Sequence, residues 1–128
     1  MLRVVLALAI AAHGIGHVLF VVPMFSSVNW GQSTHSWLLG DTPEARLIGS
    51  LLWGIVIIGF GASVFSLLNQ HIWWRDFAVI AALLSTVGLI LFWANPVSMP
   101  ALSALIFNSI ILGALVVFHW PSAAAVGA

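Results

Sequence analysis

The sequence predicts an all-α integral membrane protein, an up-down bundle of four transmembrane helices with a longer first loop covering the outer side. Two observations carry that expectation. Of 128 residues, 62% are hydrophobic and only 5% charged, whereas a soluble domain normally carries about a quarter charged residues. Four apolar segments, each close to the roughly 20 residues needed to cross the hydrocarbon core, are separated by short polar breaks. The strong acids and bases are Arg3, Arg46, Arg75, Asp41, Glu44 and Asp76. Six charges cannot make a water-facing surface, so most of the exterior must meet lipid. The segments lack strict alternation and are too few for a β-barrel.

The first helix is expected from Leu2 to Phe25. Its opening, Arg3 followed by an apolar run from Val4 to Ala12, has the form of a signal peptide. The run continues past His13 and His17, however, and is read as a spanning helix. The second helix runs from Glu44 to Leu68, and Asp41-Thr42-Pro43-Glu44 has the form of a capping box with proline in the first turn. The third runs from Trp73 to Ala94 and stops at Asn95-Pro96. The fourth runs from Ser98, with Pro100 in its first turn, to His119. Beyond Pro121 an Ala-rich tail is expected to fray. The whole chain, 1–128, reads as one domain.

Tryptophan favours the membrane interface. Trp30, Trp37 and Trp93 form one belt in this reading and Trp73, Trp74 and Trp120 the other, while Trp53 fits neither. Arg3 and Arg75 share the side of the two termini and Arg46 lies opposite. The positive-inside bias then places both termini in the cytoplasm, in a multi-pass protein of the cell membrane. Two minimal loops make helices two, three and four sequential antiparallel neighbours. The loop from Ser26 to Gly40 is long; it reads as an interfacial re-entrant turn, or as a lid over a site. Small residues four apart, such as Ala12 with Gly16 and Ala78 with Ala82, allow close helix contacts within one chain or in a homo-oligomer.

With no net charge and no basic cluster, nucleic acid is not an expected partner, and membrane lipid is. The chain has no cysteine, which excludes disulfides, thiolate metal sites and thiol redox chemistry. No nucleotide loop, catalytic triad or HExxH motif is present.

The unusual feature is His13-Gly-Ile-Gly-His17 inside the first helix. Spacing of four residues puts both imidazoles on one face. A rise of about 1.5 Å per residue places His17 about 14 Å below the outer end and His13 near the midplane. The same count from the outer ends of the other helices puts Trp53, Thr86 and Asn108 about 13 to 15 Å deep, with Ser85 and Ser109 adjoining. Ionisable groups at such depth usually face the bundle interior or a cavity. Two classes of function fit. In the first, an outward-facing intramembrane pocket binds, and if the protein is an enzyme transforms, a small hydrophobic molecule of lipid or isoprenoid type. His13 and His17 form its floor and act as general acid or base if it is an enzyme. Trp53, Thr86 and Asn108 surround them, and His35, Asp41 and Glu44 stand at the mouth. In the second, the polar layer is interhelical hydrogen-bond glue in an assembly subunit. A zinc or copper ion on His13 and His17 needs a further ligand, and a haem needs histidines from facing helices. Oligomerisation would have to complete either site. A proton path is not expected, because the inner halves of the helices are almost wholly apolar.

Overall fold

The computed structural model describes residues 1–28, 30 and 32–127. Those residues form helices and no extended strand; the nearest approach to one is an isolated bridge between Ser36 and Gly40. The helices are α1 (Leu2–Gly16), α2 (Val18–Phe25), α3 (Pro43–Leu68), α4 (Trp74–Leu91), α5 (Met99–Leu112) and α6 (Ala123–Val126). A π-helical turn, Gly113–Val117, continues α5. Four spans are long and apolar enough to cross a membrane: Leu2–Phe25, Pro43–Leu68, Trp74–Leu91 and Met99–Val117. Their outward faces carry large apolar side chains such as Leu8, Leu51, Ile58 and Ile110, each more than half exposed. Such a contiguous apolar exterior suits lipid and not water.

The helix starts obey local chemistry, with small shifts from expectation. Thr42, rather than Asp41, caps α3: its hydroxyl accepts from the Ala45 amide, and Pro43 occupies the first turn where no amide partner is needed. Asp41 instead pairs with Arg46 at 3.1 Å. Ser98 caps α5 in the same way through the Ala101 amide, with Pro100 just inside.

Tertiary contacts decide the other departures. α4 ends at Leu91, short of Ala94, and the Trp37 indole in the first loop donates to the Ile90 carbonyl at 2.7 Å. A carbonyl that a longer helix would use is thereby satisfied from outside. The fourth span is helical only to Val117, and Phe118 and Trp120 close its end on the Gly113 and Ala114 carbonyls. The tail does not fray: Ser122 caps α6, which packs on α1 with Val126 buried. Trp74 turns into the bundle. It is 2% exposed, and Ser63 donates to its carbonyl at 2.8 Å, tying α3 to α4.

One break was not expected. The first span divides at His17, whose amide reaches back to Gly14 instead of His13. The carbonyl of His13 is taken by the His17 side chain, Nδ1 to O at 2.9 Å. A side chain has replaced its own amide on the i−4 acceptor, and the turn tightens locally.

α3 packs along α1, α2 and α4, and α4 packs along α5, whereas α1 and α5 scarcely touch. Close packing is set by small residues. A Cβ on Gly88 would lie 2.7 Å from Trp53, one on Gly14 2.8 Å from Phe60, and one on Gly59 3.0 Å from Ala81. Gly54 and Gly16 face open space. Gly88→Val should therefore lower stability by about 1 to 3 kcal/mol through overpacking, while Gly54→Val should change it by less than about 0.5 kcal/mol. Reversible unfolding in mixed micelles reads both, and equal effects would refute the assigned α3–α4 contact.

Candidate functional site

The site begins with the problem of placing two imidazoles in an apolar interior. Polar groups there cost free energy unless each is hydrogen-bonded. His17 is 1% exposed and sits where α1 meets α2; His13 lies one turn earlier and is partly buried. Their rings meet edge to face, centroids 4.8 Å apart. Spacing of four residues has put them on one face as expected.

The bonds around them form a closed circuit whose direction can be deduced. His17 Nδ1 faces the His13 carbonyl, which can only accept, so Nδ1 carries the proton. All three carboxylates of the chain are exposed and none reaches the layer. A charged imidazole would be an unpaired buried cation, and the ring is therefore taken as neutral. His17 Nε2 is then an acceptor, and the Ser85 hydroxyl, 2.7 Å away, donates to it. Thr86 donates its own proton to the Ala82 carbonyl at 2.8 Å. Both hydroxyls are left as acceptors for the Asn108 amide, whose Nδ2 lies 2.8 Å from Ser85 and 3.2 Å from Thr86. That fixes the amide: its Oδ1 points at His13 Nε2, 2.8 Å away, which must donate. Proton donation thus runs from His13 to Asn108, Ser85 and His17, and returns to the His13 carbonyl.

The circuit links α1, α4 and α5. Asn108 and Ser85 are fully buried. Around it the His13 ring stacks on Phe107 at 4.4 Å and meets Phe60 at 4.9 Å, and the His17 ring lies 5.8 Å from Trp53. Trp53 stacks on Phe20 at 5.0 Å. Its contribution is the ring face: the indole Nε1 is buried with no hydrogen-bond partner among the described residues.

A cavity of about 370 Å³ lies between α1 and α5, beside their contact at His13. His13, Gly16, Phe20, Ser103, Ala104 and Phe107 are in its wall, and the exposed Ala12, Leu19 and Ser103 put its opening on the side of the helices. His17 also reaches this wall, with both nitrogens already engaged. His13 Nδ1 has no partner among the described residues and is not sealed from the surface.

Of the residues singled out from sequence, His13, His17, Thr86 and Asn108 come together, and Trp53 stands beside them. Thr86, Asn108 and Trp53 lie behind the cavity wall and not in it. His35, Asp41 and Glu44 are exposed at the loop end and line neither this cavity nor the polar basin formed there by Ser26, Gln32, Thr34 and Arg46. Ser109 turns outward and bonds within its own helix. Sequence reasoning undervalued Ser85, the centre of the circuit, and Phe107, the partner of His13. The Ser85-Thr86 adjacency was the available signal for the first; the neighbour of Asn108 gave none for the second. Among the described residues no group of three or more His, Asp or Glu side chains is gathered to hold a metal ion. The chain matches no family model, no curated protein and no solved structure.

The circuit makes an unusual demand on tautomers: His13 should be the neutral Nε2–H form and His17 the neutral Nδ1–H form. Nitrogen-15 shifts of histidine-labelled protein report this directly, and two rings of the same tautomer would break the deduction. Ser85→Ala leaves His17 Nε2 and Asn108 Nδ2 short of a partner and should cost about 1 to 3 kcal/mol of stability, with Ser109→Ala nearly neutral in the same unfolding assay.

Proposed function

We infer that this protein is a four-span, up-down bundle of the cell membrane that binds a small hydrophobic molecule in the side-opening cavity between α1 and α5. Both termini lie on the cytoplasmic face in this reading. Arg3 and Arg75 against Arg46 support the orientation, and α6 packing on α1 puts the chain ends at one end of the fold. The carrying observation is the free imidazole nitrogen of His13 on a mostly apolar wall that also holds Ser103. The other three nitrogens of the two histidines have protein partners, and a few polar groups on an apolar cavity are the usual form of a small-molecule site. A cavity of about 370 Å³ falls within the range of such sites. Lipid lateral to the helices, rather than water beyond the loop, is the source of the ligand. Should the ligand also be transformed, His13 Nδ1 is the group placed to take up a proton.

A second reading has its own support. The circuit closes on itself with no ligand, as interhelical glue would, and the open α1–α5 face would then receive a second copy of the chain. A metal or haem site belongs to that case, because a second copy would bring a second pair of histidines.

Native mass spectrometry from mild detergent, with elemental analysis of the same sample, separates the readings. Wild type should carry a lipid-like adduct that Gly16→Leu abolishes. The leucine would project into open space and fill the cavity without disturbing the circuit. Bare monomer, or a dimer that Gly16→Leu dissociates, would replace the binding reading with the assembly one.

A further inference from the structure

We propose that the cavity receives an elongated single-chain amphiphile whose head is a neutral hydroxyl, donated to Nδ1 of His13. This rests on the ligand-cavity reading above and adds the chemistry of the ligand. Two backbone carbonyls, of Ala82 and His13, decide the head group. The Ala82 carbonyl takes the Thr86 proton and the His13 carbonyl takes the His17 proton. Each can only accept, so every donor between them is committed, the Asn108 amide is oriented, and the Nε2 proton of His13 is drawn inward. Nδ1 is left as an unpartnered lone pair on a side chain that lines the cavity. A ligand must bring a proton to it. A ketone, quinone or ether oxygen would set lone pair against lone pair there. An ammonium would be a buried cation with no carboxylate in the wall. A hydroxyl satisfies Nδ1, and Ser103 on the α5 side of the wall can donate to its oxygen.

The shape argument is independent of the circuit. A second cavity of about 100 Å³ follows along the same α1–α5 seam toward the chain ends. Its wall is wholly apolar and includes Leu6, Ile10, Ile111, Leu115 and Trp120. Ala9 and Phe107 belong to both cavities, so the two are neighbouring chambers divided at those residues. A head at His13 therefore has a small apolar chamber next along the seam, which suits one extended tail.

The test uses the full-length protein in mild detergent and compares hexadecanol, its methyl ether and the methyl ketone of equal chain length by competition in native mass spectrometry. The alcohol should bind about tenfold tighter than either analogue, the effect of one net hydrogen bond, and His13→Leu should erase the preference. In wild type the nitrogen-15 resonance of His13 Nδ1 should move with the alcohol and not with the ether, a readout that needs no variant. Ala9→Leu should weaken hexadecanol and spare octanol. Equal binding of alcohol, ether and ketone, all still abolished by Gly16→Leu, would overturn the hydroxyl head and leave the cavity reading standing. Equal sensitivity of the long and short alcohols to Ala9→Leu would overturn the extended tail. No binding of any of them, or binding indifferent to Gly16→Leu, would remove the cavity reading and this inference with it.

Discussion

A buried imidazole has two ring nitrogens to satisfy, and the arrangement of this protein follows from how His17 satisfies its own. Nδ1 turns back to the carbonyl one turn earlier, which breaks the first span into α1 and α2. Nε2 reaches Ser85 on α4, which in turn holds Asn108 on α5. Three segments far apart in sequence are thereby fixed in azimuth as well as depth. Packing in lipid lacks a strong hydrophobic drive between helices, so van der Waals fit and such bonds decide the geometry. The fit is supplied by glycines: Gly14 lets Phe60 sit against α1, and Gly88 lets Trp53 lie flat against α4. The bonds supply register, because a slip of one residue in α4 would replace Ser85 with Leu84, or with Thr86, whose proton goes to the Ala82 carbonyl.

Depth was legible in the sequence and azimuth was not. Counting at about 1.5 Å per residue brought His17, Thr86 and Asn108 to one level, and the structure joins them within one network. The count has no means of telling Ser85 from Thr86, which are neighbours in depth but about 100° apart around the helix. Ser85 points to the centre, and Thr86 supports it from the side. The same blindness hid the burial of Trp74, which turns inward. Caps are local and were legible to within a residue, as Thr42, Pro43, Ser98 and Pro100 show. The end of α4 was not, because its last turn depends on Trp37, more than fifty residues away in the chain. His35, Asp41 and Glu44 were assigned to a mouth by height alone. His35 and Asp41 lie in the first loop, where no helical count applies, and Glu44 lies in the exposed first turn of α3.

The gap between α1 and α5 has a physical origin in the same residues. Ala9, Ala12 and Gly16 are small enough to let two helices close. The partner face of α5 presents Phe107 to His13, stacked at 4.4 Å, and the ring stands where a closer helix would have to be. The Asn108 bond holds this spacing from behind. Small residues beside a propped contact leave space on either side of it, which is where the two chambers lie.

Glue and binding site are usually posed as rivals for a buried polar layer. If the cavity binds a ligand, the first role sets the terms of the second. A circuit that satisfied all four imidazole nitrogens would leave only an apolar groove, selective for shape. One that left two of them free would carry a larger desolvation cost than a bundle this small could readily offset. This circuit closes through three nitrogens and a backbone carbonyl, and the fourth nitrogen emerges with its protonation already decided by bonds made elsewhere. The protonation of His13 in the cavity wall thus follows from Ser85 and Thr86, two residues that do not line it. Changing either should alter what the cavity accepts while leaving its volume alone, which no purely structural account of the layer would require.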